Sequence, residues 1–178
     1  MRKASATVAE CEFPALSALE RHLVDTAYFR DSYRATMSRK GASVIEVFHA
    51  IFAHHPTWIK VALVIRNRMA SLCGLETPTA SEIMSPTFKN SYSVGEKIGP
   101  WPIFALTPSE LVAGRDNKHL DFRLSVLRLT EGSAASVVVS TVCVVHNAFG
   151  KVYLFFVVPF HKWGVRSLIS RAVTAGRL

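Results

Sequence analysis

The stretch 134–173 constrains this chain more than any other. It opens as an almost uncharged run, Ala134-Ala135-Ser136-Val137-Val138-Val139-Ser140-Thr141-Val142-Cys143-Val144-Val145, and breaks at His146-Asn147. A helical pattern then continues through Phe149, Tyr153, Phe156, Val157 and Phe160 to Leu168, Ile169 and Ala172. A buried strand feeding one long helix implies a curved sheet that closes around that helix, an arrangement that often encloses a cavity. Asn147 can cap the helix with its side chain. Pro159 removes one backbone hydrogen bond and is expected to kink it. Before Pro159 the pattern is apolar nearly all round, which predicts burial. After it, Val165, Leu168, Ile169, Ala172 and Val173 oppose Lys162, Arg166, Ser170 and Arg171, which predicts an amphipathic surface helix.

At 178 residues the chain is most simply one domain, able to bury roughly 70% of its unfolded surface. Its apolar fraction is 49% and its mean hydropathy +0.23. That is high for a soluble protein and calls for a generous core or an apolar surface kept for a partner. No apolar run reaches the roughly 20 residues needed to span a bilayer. Arg2 and Lys3 look like the start of a signal peptide, but 4–12 contains no sustained apolar segment, so a cytoplasmic protein is expected. Cys11, Cys73 and Cys143 are odd in number and widely spaced, which fits reduced structural thiols. The net charge of +8, from 21 Lys and Arg against 13 Asp and Glu, favours anionic partners. The basic residues are scattered, with no specific nucleic-acid motif.

Along the rest of the chain, 1–14 reads as a flexible N-terminus and 16–24 as a short helix. Residues 28–37 alternate, with Phe29, Tyr33, Ala35 and Met37 on one face and Arg30, Ser32, Arg34 and Thr36 on the other, which predicts a half-buried strand. Ser43 and Glu46 form a capping box for a helix through Val44, Val47, Phe48, Ile51 and Phe52. Thr57 can cap a second helix, with Trp58, Ala62, Ile65, Met69 and Leu72 on one face and Gly74 ending it. Residues 76–93 are rich in Ser, Thr, Pro and Asn without periodicity and read as a long loop, a possible lid. Strands follow at 102–107, 110–115, 118–129 and 134–146, with turns at Asp116-Asn117 and Thr130-Glu131-Gly132-Ser133. The final helix occupies 148–174, and 15–178 form one domain.

The order of strand, two helices, antiparallel meander and long C-terminal helix is that of the helix-grip fold. Three segments carry a closer likeness. They are Val94-Gly95-Glu96-Lys97-Ile98-Gly99-Pro100-Trp101-Pro102; Asp116-Asn117-Lys118-His119-Leu120-Asp121-Phe122-Arg123; and His146-Asn147 followed by Tyr153-Leu154 and Pro159-Phe160-His161. In these the chain resembles a mostly bacterial family, domain of unknown function 2867, within the START-like/Bet v 1-like (SRPBCC) superfamily. The resemblance runs from about residue 17 to the end. It implies an α+β fold with a curved antiparallel sheet wrapped around a long C-terminal helix, and an internal cavity. It brings no established activity and no catalytic residues.

The strand 119–129 carries the densest polar constellation: His119, Asp121, Arg123 and Ser125 share one face, opposite Leu120, Phe122, Leu124 and Val126. If the polar face lines a cavity, Arg123 can anchor a carboxylate or phosphate and Asp121 can orient His119 or Arg123. A solvated face with an ordinary Asp121–Arg123 pair is the plainer reading. His146 at the strand–helix joint has the pKa range of a general base, against a plain packing role beside the capping Asn147. His161, just beyond Pro159, reads as structural. Glu46-x-x-His49 has half of a di-iron spacing without its other half, and His54-His55 project apart. Neither a metal nor a cofactor is expected, and no hydrolase or nucleotide motif is present. Trp101, Phe122 and Tyr153 are candidate cavity-lining aromatics, although such stripes are more often plain core.

These readings lead to three expectations. The first is binding of a hydrophobic or amphipathic small molecule in an internal cavity, with Arg123, Asp121, His119, Trp101, Phe122 and Tyr153 as ligand contacts. The second is a cofactor-independent cyclase, dehydratase or isomerase on the same fold, with His146, His119 or Asp121 shuttling protons. The third is peripheral contact with an anionic membrane, or with a protein partner, through the basic amphipathic segment 160–174. Oligomeric state is not legible in the sequence.

Overall fold

The computed structural model describes residues 8–54, 61, 64, 67, 89 and 91–178. Seven strands form one open, curved antiparallel sheet: β1 (Ala9–Glu10), β2 (Phe29–Met37), β3 (Lys97–Ile98), β4 (Trp101–Leu106), β5 (Glu110–Asp116), β6 (Leu120–Glu131) and β7 (Ala134–Val145). Their order is β1-β2-β7-β6-β5-β4-β3. Accompanying them among the described residues are the helices α1 (Arg21–Asp25), α2 (Val44–Phe52) and α3 (Ala148–Thr174). The α+β class and the curved sheet with a long C-terminal helix agree with the sequence reading and are compatible with a helix-grip fold.

The long β6–β7 hairpin pairs in register from Leu120↔Val145 to Glu131↔Ala134. Gly132 takes φ 59° in its turn, a conformation that glycine adopts without Cβ strain. β2 closes back on β7 from Phe29↔Cys143 to Met37↔Ala135, so the central strands come from distant parts of the chain. Within the stretch expected to be a flexible N-terminus, Ala9 and Glu10 pair with Arg34 and Tyr33 of β2.

Strand alternation gives the sheet two faces. The inner face carries Tyr33, Ala35, Met37, Leu111, Ala113, Leu124, Val126, Val137 and Val139, packed against Val44, Val47, Phe48 and Ile51 of α2 and Val165, Leu168, Ile169 and Ala172 of α3. This is the main core, and each fully buried large side chain in it contributes about 1.5–3 kcal/mol. The outer face carries Val112 and Val142 under Leu19 and Val24 from the segment around α1. Buried Glu110 tethers that segment: its carboxylate accepts from the Ser17 hydroxyl at 2.6 Å, the Ala18 amide and the Ser125 hydroxyl.

The capping box starts α2 as expected. Ser43 Oγ accepts from the Glu46 amide at 3.2 Å, and the Ser43 amide donates to the Glu46 carboxylate at 2.7 Å. The expected second helix, 57–72, lies outside the described residues apart from 61, 64 and 67, as does most of the expected loop 76–93.

α3 departs from the sequence reading in which parts of it are buried. The half after Pro159 is amphipathic as expected, with Val165, Leu168, Ile169 and Ala172 in the main core and Arg166 and Arg171 exposed. The half before Pro159, expected to be buried, buries only Gly150 and Leu154. Val152, Phe155, Phe156 and Phe160 stand 56–76% exposed. The reason is geometric: the N-terminal half crosses the end of the sheet, where only one of its faces meets β6 and β7 at Leu120, Cys143 and Val145.

Candidate functional site

Two polar pairs flank the sheet on opposite faces. The outer one is built from the residues that the sequence singled out. His146 Nε2 lies 3.1 Å from Asp121 Oδ1, with the two side chains 40% and 23% exposed. The His146 amide donates to the His119 carbonyl at 2.9 Å. The His119 ring turns away from Asp121, lying 4.5 Å from the Phe149 ring, with Nδ1 3.0 Å from the Asn147 amide nitrogen. Asn147 caps α3 by accepting from the Gly150 amide at 3.1 Å, and its own amide also donates to the Lys118 carbonyl at 3.0 Å. His119 and Asn147 thus knit the joint, while His146 and Asp121 meet at its partly exposed rim.

Arg123 does not pair with Asp121. Its guanidinium reaches both carboxylate oxygens of Asp116, the second at 3.1 Å, and lies 3.6 Å above the centre of the Phe104 ring. Gly114 makes this route possible, since a Cβ there would meet the Arg123 side chain at 3.0 Å and the Phe122 carbonyl at 2.1 Å. A bidentate, aromatic-stacked arginine of this kind has most of its donors engaged. His119, Asp121 and Arg123 therefore belong to the outer side and the rim. Trp101, Phe122 and Tyr153 are elsewhere. Trp101 packs 5.9 Å from Phe122 and 6.2–6.4 Å from Phe52 and Phe48 on the inner face. Tyr153 packs beside Leu120, Cys143 and Leu154.

The inner pair was missed. Asp31 of β2 sits on the inner face between Phe29 and Tyr33, opposite Thr141 of β7. Its side chain is 1% exposed, and the imidazole of His161 from α3, 19% exposed, covers it. His161 Nε2 is 3.3 Å from both carboxylate oxygens, with hydrogen-bond geometry to Oδ1. Oδ2 and the Thr141 hydroxyl are buried without a hydrogen-bond partner among the described residues. Burial, and after it the Asp31 charge and a hydrogen bond to the Asp31 carboxylate, push the Tyr33 phenol pKa well up, so the hydroxyl stays protonated. Phe29 packs edge-on to His161, ring centres 5.6 Å apart at 88°. The result is a small polar island between sheet and helix, walled by aromatic and aliphatic side chains. It presents acceptor oxygens from Asp31 together with hydroxyls from Thr141 and Tyr33.

A signal for this island was present. In β2 the apolar face reads Phe29, residue 31, Tyr33, Ala35, Met37, and the one charged residue in that register is Asp31. An aspartate on the buried side of an alternating strand requires a partner. His161 stands four residues before Val165 and seven before Leu168, on the side of α3 that enters the core.

At the C-terminal end of α3, an open pocket of about 400 Å³ is lined by His54, Ser170, Arg171, Thr174, Ala175 and Arg177. It lies on the surface, away from both pairs. Cys11, half-buried, and Cys143, buried, are not in disulfides, while Cys73 lies outside the described residues. Among the described residues, no helix is long and apolar enough to cross a membrane.

No curated protein and no solved structure matches the chain in comparison. A family match does exist, to "Protein of unknown function (DUF2867)", over residues 23–168. That span holds both polar pairs and most of α3 and covers well over half of the 178 residues, so the chain belongs to the DUF2867 family.

Proposed function

We propose that this protein binds an amphipathic small molecule between the inner face of its sheet and α3, with the polar end of the ligand at Asp31, Thr141, Tyr33 and His161. The observation that carries this reading is the buried, incompletely satisfied oxygen set of Asp31 and Thr141. Leaving such groups without partners costs about 1–3 kcal/mol each, a cost that a bound donor removes. The chemistry also limits the ligand. A carboxylate or phosphate beside the Asp31 carboxylate meets like charge, whereas an amine, hydroxyl or amide N–H finds acceptors. The ligand head is thus a donor, not the acid that an Arg123 anchor would have selected. Pockets of this type combine apolar walls with a few placed polar groups, here with Phe29, Leu124 and Val139 around the island.

The test is displacement of 1-aminoanthracene, a fluorescent apolar amine, from the full chain by dodecylamine, dodecanol and dodecanoic acid. The amine and the alcohol are expected to compete at least about tenfold better than the acid. Asp31→Asn is expected to weaken the amine selectively. Equal competition by all three, or no probe binding at all, overturns the reading.

The outer pair supports a second reading, a proton-transfer enzyme with His146 as base oriented by Asp121, on the strength of their 3.1 Å contact. The rim position lets a substrate approach from solvent. It predicts that His146→Gln abolishes turnover of any substrate found while leaving inner-site binding untouched.

A further inference from the structure

The exposed residues of α3 form a pattern. Val152, Phe155, Phe156, Pro159, Phe160 and Trp163 follow one another at three- and four-residue steps, and a helix with 3.6 residues per turn brings them onto one side. They face away from the core: Val152 is 56% exposed, Phe155 74%, Phe156 65%, Phe160 76% and Trp163 58%. Scattered exposed apolar side chains need no explanation, but five large ones in a single stripe mark an interaction surface. Aromatic residues dominate it, and Tyr28, 55% exposed, extends it from the end of the sheet beside Lys151.

Charge identifies what the stripe meets. Lys151, Lys162 and Arg166 run along one edge of it at helical spacing, each within 6.0 Å of the aromatic ring of Tyr28, Phe29 or Tyr33 respectively. From residue 132 to residue 178 the sequence contains no Asp or Glu, against Lys151, Lys162, Arg166, Arg171 and Arg177. Of the acids beside this border, Glu10 lies 4.0 Å from Lys162 Nζ and Asp31 is buried beneath His161. An apolar, aromatic helix face with a cationic border is the composition of a helix lying in the interface of an anionic bilayer, apolar face in the acyl boundary and lysines at the headgroups. A second copy of the chain would set cationic border against cationic border.

We infer that the outward stripe of α3, Val152 to Trp163, docks this protein on anionic lipid membranes. The docking surface is centred on 152–163 and shares only Phe160 to Trp163 with the segment 160–174, whose remaining apolar side is already used in the core. The inference is independent of the inner site: the stripe faces outward and His161 inward.

The experiment is co-sedimentation of the full chain with vesicles of phosphatidylcholine alone and of phosphatidylcholine with 30% phosphatidylglycerol (about this fraction suffices for a negative surface potential). Binding is expected to be at least about tenfold stronger to the anionic vesicles and to weaken at high salt. Phe155→Ser/Phe160→Ser, at exposed positions, is expected to keep the melting temperature and lose about tenfold or more in vesicle affinity. Lys151→Gln/Lys162→Gln is expected to abolish the preference for anionic lipid. Trp163→Phe reads out depth, since brominated lipids should quench wild-type fluorescence more than that of this variant. No binding to anionic vesicles, equal binding to both compositions, or a concentration-dependent dimer that the serine variant dissolves would overturn the proposal. Loss of vesicle binding with 1-aminoanthracene binding intact would separate it from the inner-site reading.

Discussion

Replacing His161 by phenylalanine isolates the energetics of the inner pair. The imidazole already packs edge-on to Phe29, so a phenyl ring keeps that contact and most of the volume and removes only the N–H that Asp31 accepts. Asp31 is then a carboxylate 1% exposed that has lost the imidazole donor above it. Breaking a buried pair from one side costs about 3–5 kcal/mol. Water can approach through the position of His161, which is itself 19% exposed, and this moves the expected cost to about 2–3 kcal/mol. In a domain of this size that lowers Tm by about 4–12 °C. Asp31→Val places a β-branched side chain in β2 opposite Thr141 and costs less, because the partly exposed imidazole can turn to water. The double variant removes both polar partners and is expected to match or exceed wild-type stability by about 1–4 kcal/mol. Urea unfolding followed by far-UV circular dichroism closes the double-mutant cycle, with an expected coupling of at least about 2–3 kcal/mol. Additive single costs, coupled by less than about 0.5 kcal/mol, would refute the pairing. The same variant tests purpose: more stable protein that no longer binds dodecylamine is the exchange expected of a binding site. Stability gained with binding retained would remove Asp31 and His161 from the site.

Three further outcomes follow from local geometry. Gly150→Ala would place a Cβ 2.5 Å from the His119 carbonyl and 2.8 Å from Val145 Cγ1, so a loss of about 1–3 kcal/mol is expected. Gly164→Ala meets nothing within 4 Å and should gain about 0.5–1 kcal/mol, and thermal melts of the two variants check the contrast. Asn147→Ala should cost about 1–2 kcal/mol by removing the α3 cap, while Asn147→Asp retains most of it. Burial lowers the His49 pKa from its ordinary 6.5, so the unfolded chain binds its proton first. Stability from this group is complete above about pH 6.5 and falls as pH drops toward the lower folded value. His49→Gln should flatten the unfolding free energy measured between pH 6.5 and 5.

Much of the framework was legible because local signals and global packing agree. The alternation in β2, the Ser43–Glu46 box and the Asn147 cap each fix an element by contacts within four residues or by period. α1 shows where such signals end. A helix was expected over 16–24 but occurs at Arg21–Asp25, because Ser17 and Ala18 are bound to the Glu110 carboxylate, 92 residues or more away. The outer polar face shows the same limit. Residues 121 and 123 are neighbours on one strand, so pairing them is the natural local expectation. Across the sheet, however, Gly114 opens a lane that carries Arg123 to Asp116 and leaves Asp121 for His146.

α3 is the instructive failure. A helix that is apolar on two sides has no unique inner face in its own sequence, and the rule that such a helix is buried holds only where the sheet is wide enough to receive it. Here Gly150 lies close against the His119 carbonyl and Val145, which sets the helix across the end of the β6–β7 hairpin. From that start, the side carrying Leu154, Val158, His161 and Val165 turns inward and the side carrying Val152, Phe155, Phe156 and Phe160 turns out. Both sides read as core in one dimension. The entry angle set at Gly150 decides between them, and with it places a histidine over Asp31 and three phenylalanine rings in front of solvent.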